Sequence, residues 1–529
     1  MYHINSKTDK PDIEYLFNEV NKMMKRGIKT GNLRVIYSKW LAKQNEYKEN
    51  IKNDYGIENP NSSAQVISYL DNLNDPNVVE ACAPMGKWTS NKDALSAVAN
   101  LGYQFGQDML DYRTAKKYAD SIKSMIDNSD SRGLIHPLVS ATKTNRVSYK
   151  VPAIMNIPKE LLWNCIIPMN DGDVLISADI KNQEPNILIN MNNIESLKPA
   201  LEADEGLYEF IFNRMPVQST LYIAFDNQRN DGIMSNDELK KLGINPIFYT
   251  SKLAPFSNIF VNGKELRLIE PTTVLSKIGN IPELPKTVRV RVIDEDGDYE
   301  DCELPVTYNV DWKDKTIKKK LTDGGIVEVL GDISGIEIKC EGQVRKEFKT
   351  AWNAMTYGAS RVGIKNYCKH IDGDKVYDLF NNIPELKEVK DRAAKAARAG
   401  QQKASTYFGT EVYANEYNSG VLKRVLMDIP IQGTASDILS LLVKHFNEEV
   451  EKRGYKDELF VYYTRHDELI IEAGKSLIDR LGIDKVKDEV RDIVEHRIDD
   501  WVPFKLEVKT VEANNDDLDE MLSKSDEAE

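Results

Sequence analysis

The sequence predicts a mixed α+β protein, and three patterns in succession support this class. Residues 12–53 carry apolar side chains three and four positions apart, which is the spacing of a helix. Residues 217–340 alternate apolar and polar positions between Asn-Gly and Asp-Gly turns, which is typical of strands. Residues 459–473 are two apolar runs around a polar turn, a β-hairpin pattern. At 529 residues, 41% of them hydrophobic, the chain is long enough to form several domains with large cores.

The composition indicates a reduced, cytoplasmic protein with no membrane partner. No apolar run approaches the roughly 18 to 20 residues of a membrane span, and the first ten residues, MYHINSKTDK, lack an apolar signal region. The five cysteines are widely spread and never form a CxxC pair, which argues against a disulfide framework or a zinc site.

The net charge of −14, summed over the whole chain, would disfavour a nucleic-acid partner. The distribution of the charge along the chain weakens that inference. The tail from Val511 onward carries eight acids and one lysine, and we expect it to be disordered. Residues 22–43 and 390–403 are locally basic. Local stripes of charge govern phosphate binding, although such stripes are also typical of solvated surfaces.

In the first third of the chain, helices are predicted up to Asp127, where a long, partly basic helix that starts near Met109 ends before Gly133 and Pro137. Residues 144–160, TNRVSYKVPAIMNIPKE, contain two prolines, and we predict an extended loop there. The apolar run from Val174 to Ala178 predicts a buried strand ending on an acid, Asp179. A carboxylate at a strand end suits a metal ligand, and a solvated acid before a helix cap explains the same pattern.

In the last third, helical spacing returns at Val344 and places four polar side chains on one helix face. They are Arg345, Lys349, Asn353 and Tyr357, each four residues after the one before. Residues 427–443, MDIPIQGTASDILSLLV, predict a glycine-containing turn that leads into an apolar helix. The tip of the predicted hairpin carries His466, Asp467 and Glu468. Two acids on strands and two cations on a helix are the groups that nucleotidyl transfer with two metal ions requires.

Five ordered segments resemble the A family of DNA polymerases, the family of bacterial DNA polymerase I and several phage replicases. TNRVSYKVPAIMNIP resembles TGRLS…PNLQNIP, SADIKNQEPNIL resembles motif A (DYSQIELRIL), and RKEFKTAWNAMTYG resembles motif B (RxxxKxxxFxxxYG). MDIPIQGTASDI resembles NxPxQGxAAD, and RHDELIIE resembles motif C (VHDEL). The resemblance runs from about Ile13 to Thr510 and is interrupted by the β-rich segment.

The resemblance implies a right-hand polymerase with thumb, palm and fingers, plus a β-rich insertion between motifs A and B. The expected domains are a helical N-terminal region and thumb (1–135), a first palm segment with motif A (136–216), the insertion (217–340), fingers with motif B (341–415), a second palm segment with motif C (416–510) and an acidic tail (511–529).

The resemblance also implies a role for each matching residue. Asp179 and Asp467 would hold two Mg²⁺ ions, for which Mn²⁺ can substitute, with the Ile180 carbonyl as a further ligand. The expected substrate-binding and catalytic contacts to the dNTP are Arg345 and Lys349 on the triphosphate, Tyr357 and Gly358 at the nascent pair, Glu184 and Asn353 at the sugar, and Tyr208 in place of a family histidine. The expected contacts to primer-template DNA are Arg146 and Gln432 in the minor groove, His466 and Glu468 at the primer end, and Asn156 and Arg424 elsewhere.

Departures from the family pattern qualify the expected activity. Asn353 stands where the family has Phe or Tyr, and Lys181, Gln183 and Asn186 replace Ser, Ile and Arg of motif A. These changes predict a diverged phage or mobile-element member, located in the host cytoplasm in the phage case. So few residues precede the first helix that we expect a polymerase module without proofreading of its own. We also expect a monomer. The insertion is a candidate contact for the template, for the duplex, or for a processivity factor or other replication protein, and a purely structural elaboration explains it as well. The tail is a candidate partner-binding peptide or a solubilising end.

Two other functions remain open at this level. A single-subunit RNA polymerase shares the motif B Lys, Tyr and Gly, but the side chain of Glu184 opposes it, because we expect that side chain to fill the space of a 2′-hydroxyl. A non-catalytic DNA-binding relative is opposed by the retention of Asp179, Asp467, Arg345 and Lys349.

Overall fold

The computed structural model describes most of the chain and divides it into two compact units. The described residues are 2–83, 86–215, 339–365, 367–368, 370–499, 501–502 and 504–512, together with the strands between 219 and 333 and residues 286 and 298. Unit 1 is Met1–Asn193 with Asp391–Glu529, and unit 2 is Ile194–Lys390. The acidic tail beyond residue 512 lies outside the described residues.

Unit 1 begins with helices, as the apolar periodicity predicts. The helices of its first segment are α1 (Ile13–Arg26), α2 (Leu33–Tyr55), α3 (Ser63–Asn72), α4 (Pro76–Cys82), α5 (Lys92–Asn100), α6 (Gln104–Asp127), α7 (Lys159–Cys165) and α8 (Gln183–Met191). The long helices α2 and α6 pack along each other. Side-chain caps at Asp12, Ser62, Asp75 and Asn91 accept hydrogen bonds from backbone N–H groups in the first turns of α1, α3, α4 and α5.

The centre of unit 1 is a four-stranded antiparallel sheet that joins distant parts of the sequence. Its strands are β6 (Val174–Lys181), β16 (Leu459–Arg465), β17 (Glu468–Ala473) and β19 (Lys505–Thr510), in the spatial order β16-β17-β6-β19. Strand β6 is inner and buried over four consecutive residues, so it is an apolar run without alternation. The remaining helices of unit 1 are α15 (Ser419–Asp428), α16 (Thr434–Lys452), α17 (Lys475–Leu481) and α18 (Ile483–Val494).

Short strand pairs complete unit 1. They are β1 (Tyr2–Ile4) with β18 (His496–Ile498), β2 (Ile28–Lys29) with β3 (Leu134–Ile135), β4 (Leu138–Ala141) with β5 (Val147–Lys150), and β14 (Lys403–Ser405) with β15 (Glu411–Tyr413). One helical stretch among the described residues, Ser419–Lys452, has the length and apolar composition of a membrane span. Because 78% of its most apolar window is buried inside the protein, its surroundings are those of a core helix.

Unit 2 contains helices built on an aromatic core. They are α9 (Lys198–Glu202), α10 (Leu207–Asn213), α11 (Gly342–Thr356), α12 (Arg361–Lys365), α13 (Gly373–Asn381) and the first half of α14 (Pro384–Arg398). Trp352 on α11 is buried between Phe348 and Phe380, and Phe212 contacts Phe348 edge to face. These rings fix α11 against α10 and α13.

Unit 2 also contains a seven-stranded antiparallel sheet within the predicted β-rich segment. Its strands are β7 (Ser219–Phe225), β8 (Phe248–Thr250), β9 (Asn258–Val261), β10 (Lys264–Leu268), β11 (Thr287–Ile293), β12 (Tyr299–Tyr308) and β13 (Val327–Ile333), in the spatial order β8-β7-β13-β12-β11-β10-β9. Arg291 on β11 faces Asp301 on β12 in register and forms an ion pair with it at 2.7 Å, whereas Val290 is buried.

The structure corrects three local predictions. The segment predicted as an extended loop contains the second strand of the hairpin β4–β5, a 3-10 turn over Ile154–Asn156 and the start of α7. The predicted turn before the apolar helix is a π-helical segment, Ile429–Gly433, which joins α15 to α16 without a break. The wider π turn accommodates Pro430, which has no N–H for a regular helical hydrogen bond. Asp179 lies inside β6, since the strand continues to Lys181.

Candidate active site

The central sheet of unit 1 brings the two predicted metal-binding acids together. Asp179 on β6 faces Glu468 on β17 in register, and Asp467 immediately precedes β17. The Ile180 N–H donates a hydrogen bond to the Asp467 carbonyl oxygen at 3.2 Å, which fixes the hairpin tip against β6. His466 starts the two-residue turn with φ +53°, in the left-handed region that such tight turns require. The sheet therefore brings Asp179 on β6 close to Asp467 in the turn that leads into the neighbouring strand β17.

The electrostatics of these acids show a surplus of negative charge. Burial raises the pKa of Asp467 to about 6, and the negative charge of Asp179 adds to this effect. Burial also raises the pKa of Glu468, although the neighbouring ammonium of Lys159 opposes the change. Buried carboxylates next to another negative charge form a place where a cation is stabilised.

The donor set fits a metal site built on two carboxylates. Among the described residues, no group of three or more His, Cys, Asp or Glu side chains is arranged to hold a metal ion. Mg²⁺ is commonly bound through one or two carboxylates, with the remaining positions taken by water and substrate phosphates. Asp179 and Asp467 meet that requirement, and the carbonyl of Ile180, next to Asp179, stays a prediction.

Glu468 is not placed as the sequence predicts for a contact with the primer end. Its side chain is 3% exposed, and its Oε1 atom accepts a hydrogen bond from Ser177 and forms an ion pair with Lys159 at 2.8 Å. A buried carboxylate with these two partners has little surface left for DNA. His466 is exposed, but desolvation first and then the charges of Arg146 and Arg465 lower its pKa to about 4.

Lys159 is a site residue that the sequence motifs do not reveal. Its ammonium lies 2.7 Å from Asp179 Oδ2 and bridges that carboxylate to Glu468. The signal in the sequence is weak, because Lys159 follows the Asn-Ile-Pro of the first family segment at a position to which the family pattern assigns no residue.

Arg146 and Glu184 form an ion pair in which both side chains are mostly buried. Arg146 follows the turn of the β4–β5 hairpin, where Asn145 has φ +59°, and its N–H donates to Thr142 Oγ1 at 3.1 Å. Asp428 lies near the pair, since Glu184 and Arg146 both influence its ionisation. Burial first, and then Glu184, raises the pKa of Asp428 to about 6. Asp428 stands where the NxPxQG pattern has Asn, a further departure from the family that the sequence-based expectations did not include.

The other predicted DNA contacts of unit 1 lie on three different elements. Gln432 is in the π-helical segment, and its Oε1 accepts a hydrogen bond from Thr144 Oγ1 at 3.2 Å. π-Helical turns are frequent at functional sites. Asn156 at the end of the 3-10 turn and Arg424 on α15 are exposed.

In unit 2, α11 presents the predicted cations on one face, above a buried tyrosine. Arg345 lies 5.8 Å and Lys349 5.6 Å from the centre of the Tyr208 ring, and Arg345 forms an ion pair with Glu209. The Tyr208 hydroxyl donates to Asn353 Oδ1 at 3.0 Å. Since Tyr208 is only 1% exposed, it supports Arg345, Lys349 and Asn353 from below and offers almost no surface to a substrate.

The helix α11 ends at the predicted Tyr-Gly pair. Tyr357 caps the helix C-terminus and donates its N–H to the Ala354 carbonyl oxygen at 3.2 Å. Gly358 follows with φ +81°, a left-handed conformation that favours glycine at a helix end. The residue pattern of motif B is therefore explained locally as a helix with a basic face and a glycine stop.

Comparison with known proteins adds independent support. The model of the family described as "DNA polymerase family A" matches residues 30–229 and 331–516. DNA polymerase I of Caldicellulosiruptor bescii is 25% identical over 222 residues, which cover 40% of this chain and 25% of the relative. DNA polymerase I of Aquifex aeolicus is 29% identical over 171 residues, which cover 30% of this chain and 27% of the relative. The matched segments thus span about a quarter of the length of these relatives.

A solved structure shows the same fold. The POL domain of Pol1 from M. smegmatis, determined with a DNA primer-template and a dNTP, superposes with a TM-score of 0.59 over 94% of this chain and 69% of that chain, at 16% sequence identity. At that identity the likeness concerns the fold alone, and it confirms the predicted mixture of helices and strands. The family model, in contrast, covers well over half of the chain and all five motifs. The chain belongs to DNA polymerase family A.

Proposed function

We propose that the chain synthesises DNA from dNTPs on a primed template, by nucleotidyl transfer that uses two Mg²⁺ ions, for which Mn²⁺ can substitute. The observation that carries the proposal is the pair formed by Asp179 on β6 and Asp467 in the turn before β17, where burial and the charge of Asp179 raise the pKa of Asp467. Family membership and the ligands of the M. smegmatis structure, primer-template DNA and a dNTP, support the choice of substrates.

In this mechanism the primer 3′-hydroxyl attacks the α-phosphate of the dNTP, the bond to the β-phosphate oxygen breaks, and pyrophosphate leaves. Asp179 and Asp467 would hold the metal ions, with the Ile180 carbonyl as a further candidate ligand, and bound metal would supply charge stabilisation for the attacking and leaving oxygens. Arg345 and Lys349 bind the triphosphate, for which their position on one face of α11 is suited.

The choice of sugar rests in this proposal on Glu184 and on the Tyr208–Asn353 pair. Glu184 is held by Arg146, so its side chain has a fixed position. Asn353 is held by the Tyr208 hydroxyl at 3.0 Å and takes the place of the aromatic ring of other family members. We propose that Glu184 fills the space of a 2′-hydroxyl in the nucleotide site, and extension with dNTPs against rNTPs measures the effect of Asn353 on sugar selection.

DNA binding is assigned to polar groups of unit 1 on the two hairpins, the 3-10 turn, α15 and the π-helical segment. They are Arg146, Gln432, His466, Asn156 and Arg424. Glu468 is buried, so we assign it no direct contact with DNA. It acts only by forming the ion pair with Lys159. Tyr357 and Gly358 would close the position of the nascent base pair.

Further proposals concern the location, oligomeric state and origin of the protein, and its lack of proofreading. We propose a cytoplasmic monomer of phage or mobile-element origin, on the strength of the motif departures and the composition. The absence of proofreading stays a prediction, and incubation of the purified chain with a mismatched primer end tests it, since loss of 3′ nucleotides would contradict it.

The experiment that tests the proposed function is primer extension by the full chain and by Asp179→Asn, with Asp171→Asn as the matched control. Asp171 is an exposed acid in the loop before β6. We expect Asp179→Asn to lower the rate by on the order of a thousandfold, because several kcal/mol of charge stabilisation are lost. We expect Asp171→Asn to behave as the wild type.

Two results would change the assignment. Equal extension with rNTPs and dNTPs would favour a single-subunit RNA polymerase. DNA binding without extension by the wild-type chain would favour a non-catalytic relative.

A further inference from the structure

Lys159 occupies a position that the general physics of helices and burial disfavours. It is the first residue of α7, where the partial positive charge of the helix N-terminus repels a cation. Desolvation also disfavours its charge, yet Glu468 and Asp179 offset this loss and raise the pKa of Lys159. The two carboxylates therefore hold the ammonium in place.

The side chains around Lys159 form a binding site for its ammonium group. The ammonium lies 2.7 Å from Asp179 Oδ2, 2.8 Å from Glu468 Oε1 and 5.0 Å from the centre of the Trp163 ring. Trp163 is one turn further along the same helix, and its ring also lies 5.1 Å from the Lys509 ammonium. Two carboxylates and an aromatic ring are the groups that stabilise a cation in a partly buried position.

This arrangement affects how many acids remain for metal binding. Glu468 has two partners of its own, Lys159 and Ser177. Asp179 shares one of its two oxygens with the ammonium, whereas the ionisation of Asp467 is influenced chiefly by burial and by Asp179. A divalent ion that approaches Asp179 therefore meets a resident positive charge.

We propose that Lys159 is a positioning residue that competes with the divalent metal ion for Asp179 and thereby sets the affinity of the site for that ion. This inference rests on the proposed function, because it takes Asp179 as a metal ligand. Removal of the ammonium leaves Asp179 and Glu468 with less compensated charge, which strengthens the attraction for a divalent cation.

The test is a titration of the DNA-free full chain with Mn²⁺, followed by electron paramagnetic resonance of the free ion. We expect Lys159→Met to bind Mn²⁺ about tenfold more tightly than the wild type, since a unit charge beside the ligand is lost. Lys159→Arg keeps the charge and should stay near the wild-type affinity. Lys159→Gln serves in place of Lys159→Met if thermal denaturation shows that the apolar variant does not fold.

A second measurement uses Trp163 as a reporter. Addition of Mg²⁺, which does not itself quench fluorescence, should change the emission of the wild type as Lys159 moves from the ring, and this change should vanish in Trp163→Phe. Equal or weaker Mn²⁺ binding by Lys159→Met or Lys159→Gln would overturn the assignment of Lys159.

The outcome for Lys159 is separable from that for the proposed function. Loss of Mn²⁺ binding in Asp179→Asn, with DNA synthesis by the wild type, supports the metal site whatever Lys159 does. If the wild type binds no more Mn²⁺ than Asp179→Asn, both the two-carboxylate site and the role of Lys159 are overturned.

Discussion

At the scale of single residues, the groups that the sequence revealed are those that carry family motifs. Asp179, Asp467, Arg345 and Lys349 stand at fixed positions within short patterns. Lys159 and Asp428 were not predicted, for different reasons. The role of Lys159 depends on contacts with residues 20 and 309 positions further along the chain, a relation that no local pattern encodes. Asp428 differs from the family's Asn within a motif, so a residue-by-residue comparison could have found it.

Glu472 is a buried acid on β17 whose charge state should affect stability. It is 0% exposed, and its Oε1 accepts a hydrogen bond from the Met169 N–H at 2.9 Å. Burial raises its pKa to about 7, with a further contribution from Asp173 against the opposing charge of Arg26. Because folding raises the pKa of Glu472, its protonated form contributes to the stability of the folded state, and this contribution is complete below the unfolded pKa. The contribution is lost as the pH rises through about 7.

We therefore expect Glu472→Gln to gain stability relative to the wild type as the pH rises from 5 to 8, by about 2 to 3 kcal/mol. The amide is neutral at every pH and cannot lose a proton. Urea denaturation of both proteins at pH 5, 6.5 and 8 measures the difference. A constant difference across these pH values would show that Glu472 does not titrate in this range.

At the scale of elements, the periodic helices and the hairpin of motif C were predictable, whereas the connections were not. The β4–β5 hairpin was not predicted, because its turn, around Thr142 to Asn145, has no Asn-Gly or Asp-Gly signal. The π-helical segment was not predicted, because proline and glycine, here Pro430 and Gly433, usually indicate a break in a helix. In both places tertiary contacts decide the conformation, such as the Thr144–Gln432 hydrogen bond that joins the two segments.

The contact between α5 and α6 depends on Gly106. A Cβ at this position would lie 2.6 Å from the Leu95 carbonyl oxygen and would also clash with the Ala99 backbone nitrogen. We expect Gly106→Ala to destabilise the protein by about 1 to 3 kcal/mol, because overpacking outweighs the higher helix propensity of alanine. Thermal denaturation measures the change.

Gly363→Ala on α12 is the matched control for Gly106→Ala. A Cβ there meets only Ser360 Oγ at an ordinary 3.5 Å. We expect this control to be neutral or slightly stabilised. Equal effects of the two substitutions would show that packing against α5 is not what requires Gly106.

At the scale of the whole molecule, the β-rich segment is the region that the family does not explain. The family model stops at residue 229 and resumes at 331, while β7 and β13 on either side pair with each other. Phe225 and Val327 are partners in that pairing, so a two-residue Asn-Gly turn can join them and replace residues 226–326.

We expect this shortened chain to retain single-nucleotide incorporation and to keep the processivity of the wild type when no other protein is present. The reason is that one basic side chain of this sheet, Arg291 on β11, forms an ion pair with Asp301, which reduces its attraction for phosphate. Single-encounter primer extension with a DNA trap measures processivity. A marked fall would indicate that the insertion contacts DNA, and a difference seen only with a replication extract would point to a protein partner.

The pairing of β6 with β17 has a thermodynamic consequence for the insertion. These strands close a very long loop, since the Asp179–Glu468 partnership spans most of the chain. The entropy lost on closing a flexible loop grows only with the logarithm of its length, about 0.6 kcal/mol for each doubling. Residues 230–330 lengthen this loop by less than a doubling. A domain inserted between β6 and β17 therefore adds little to the entropy lost on closing the loop between these strands, as long as the inserted residues fold on their own.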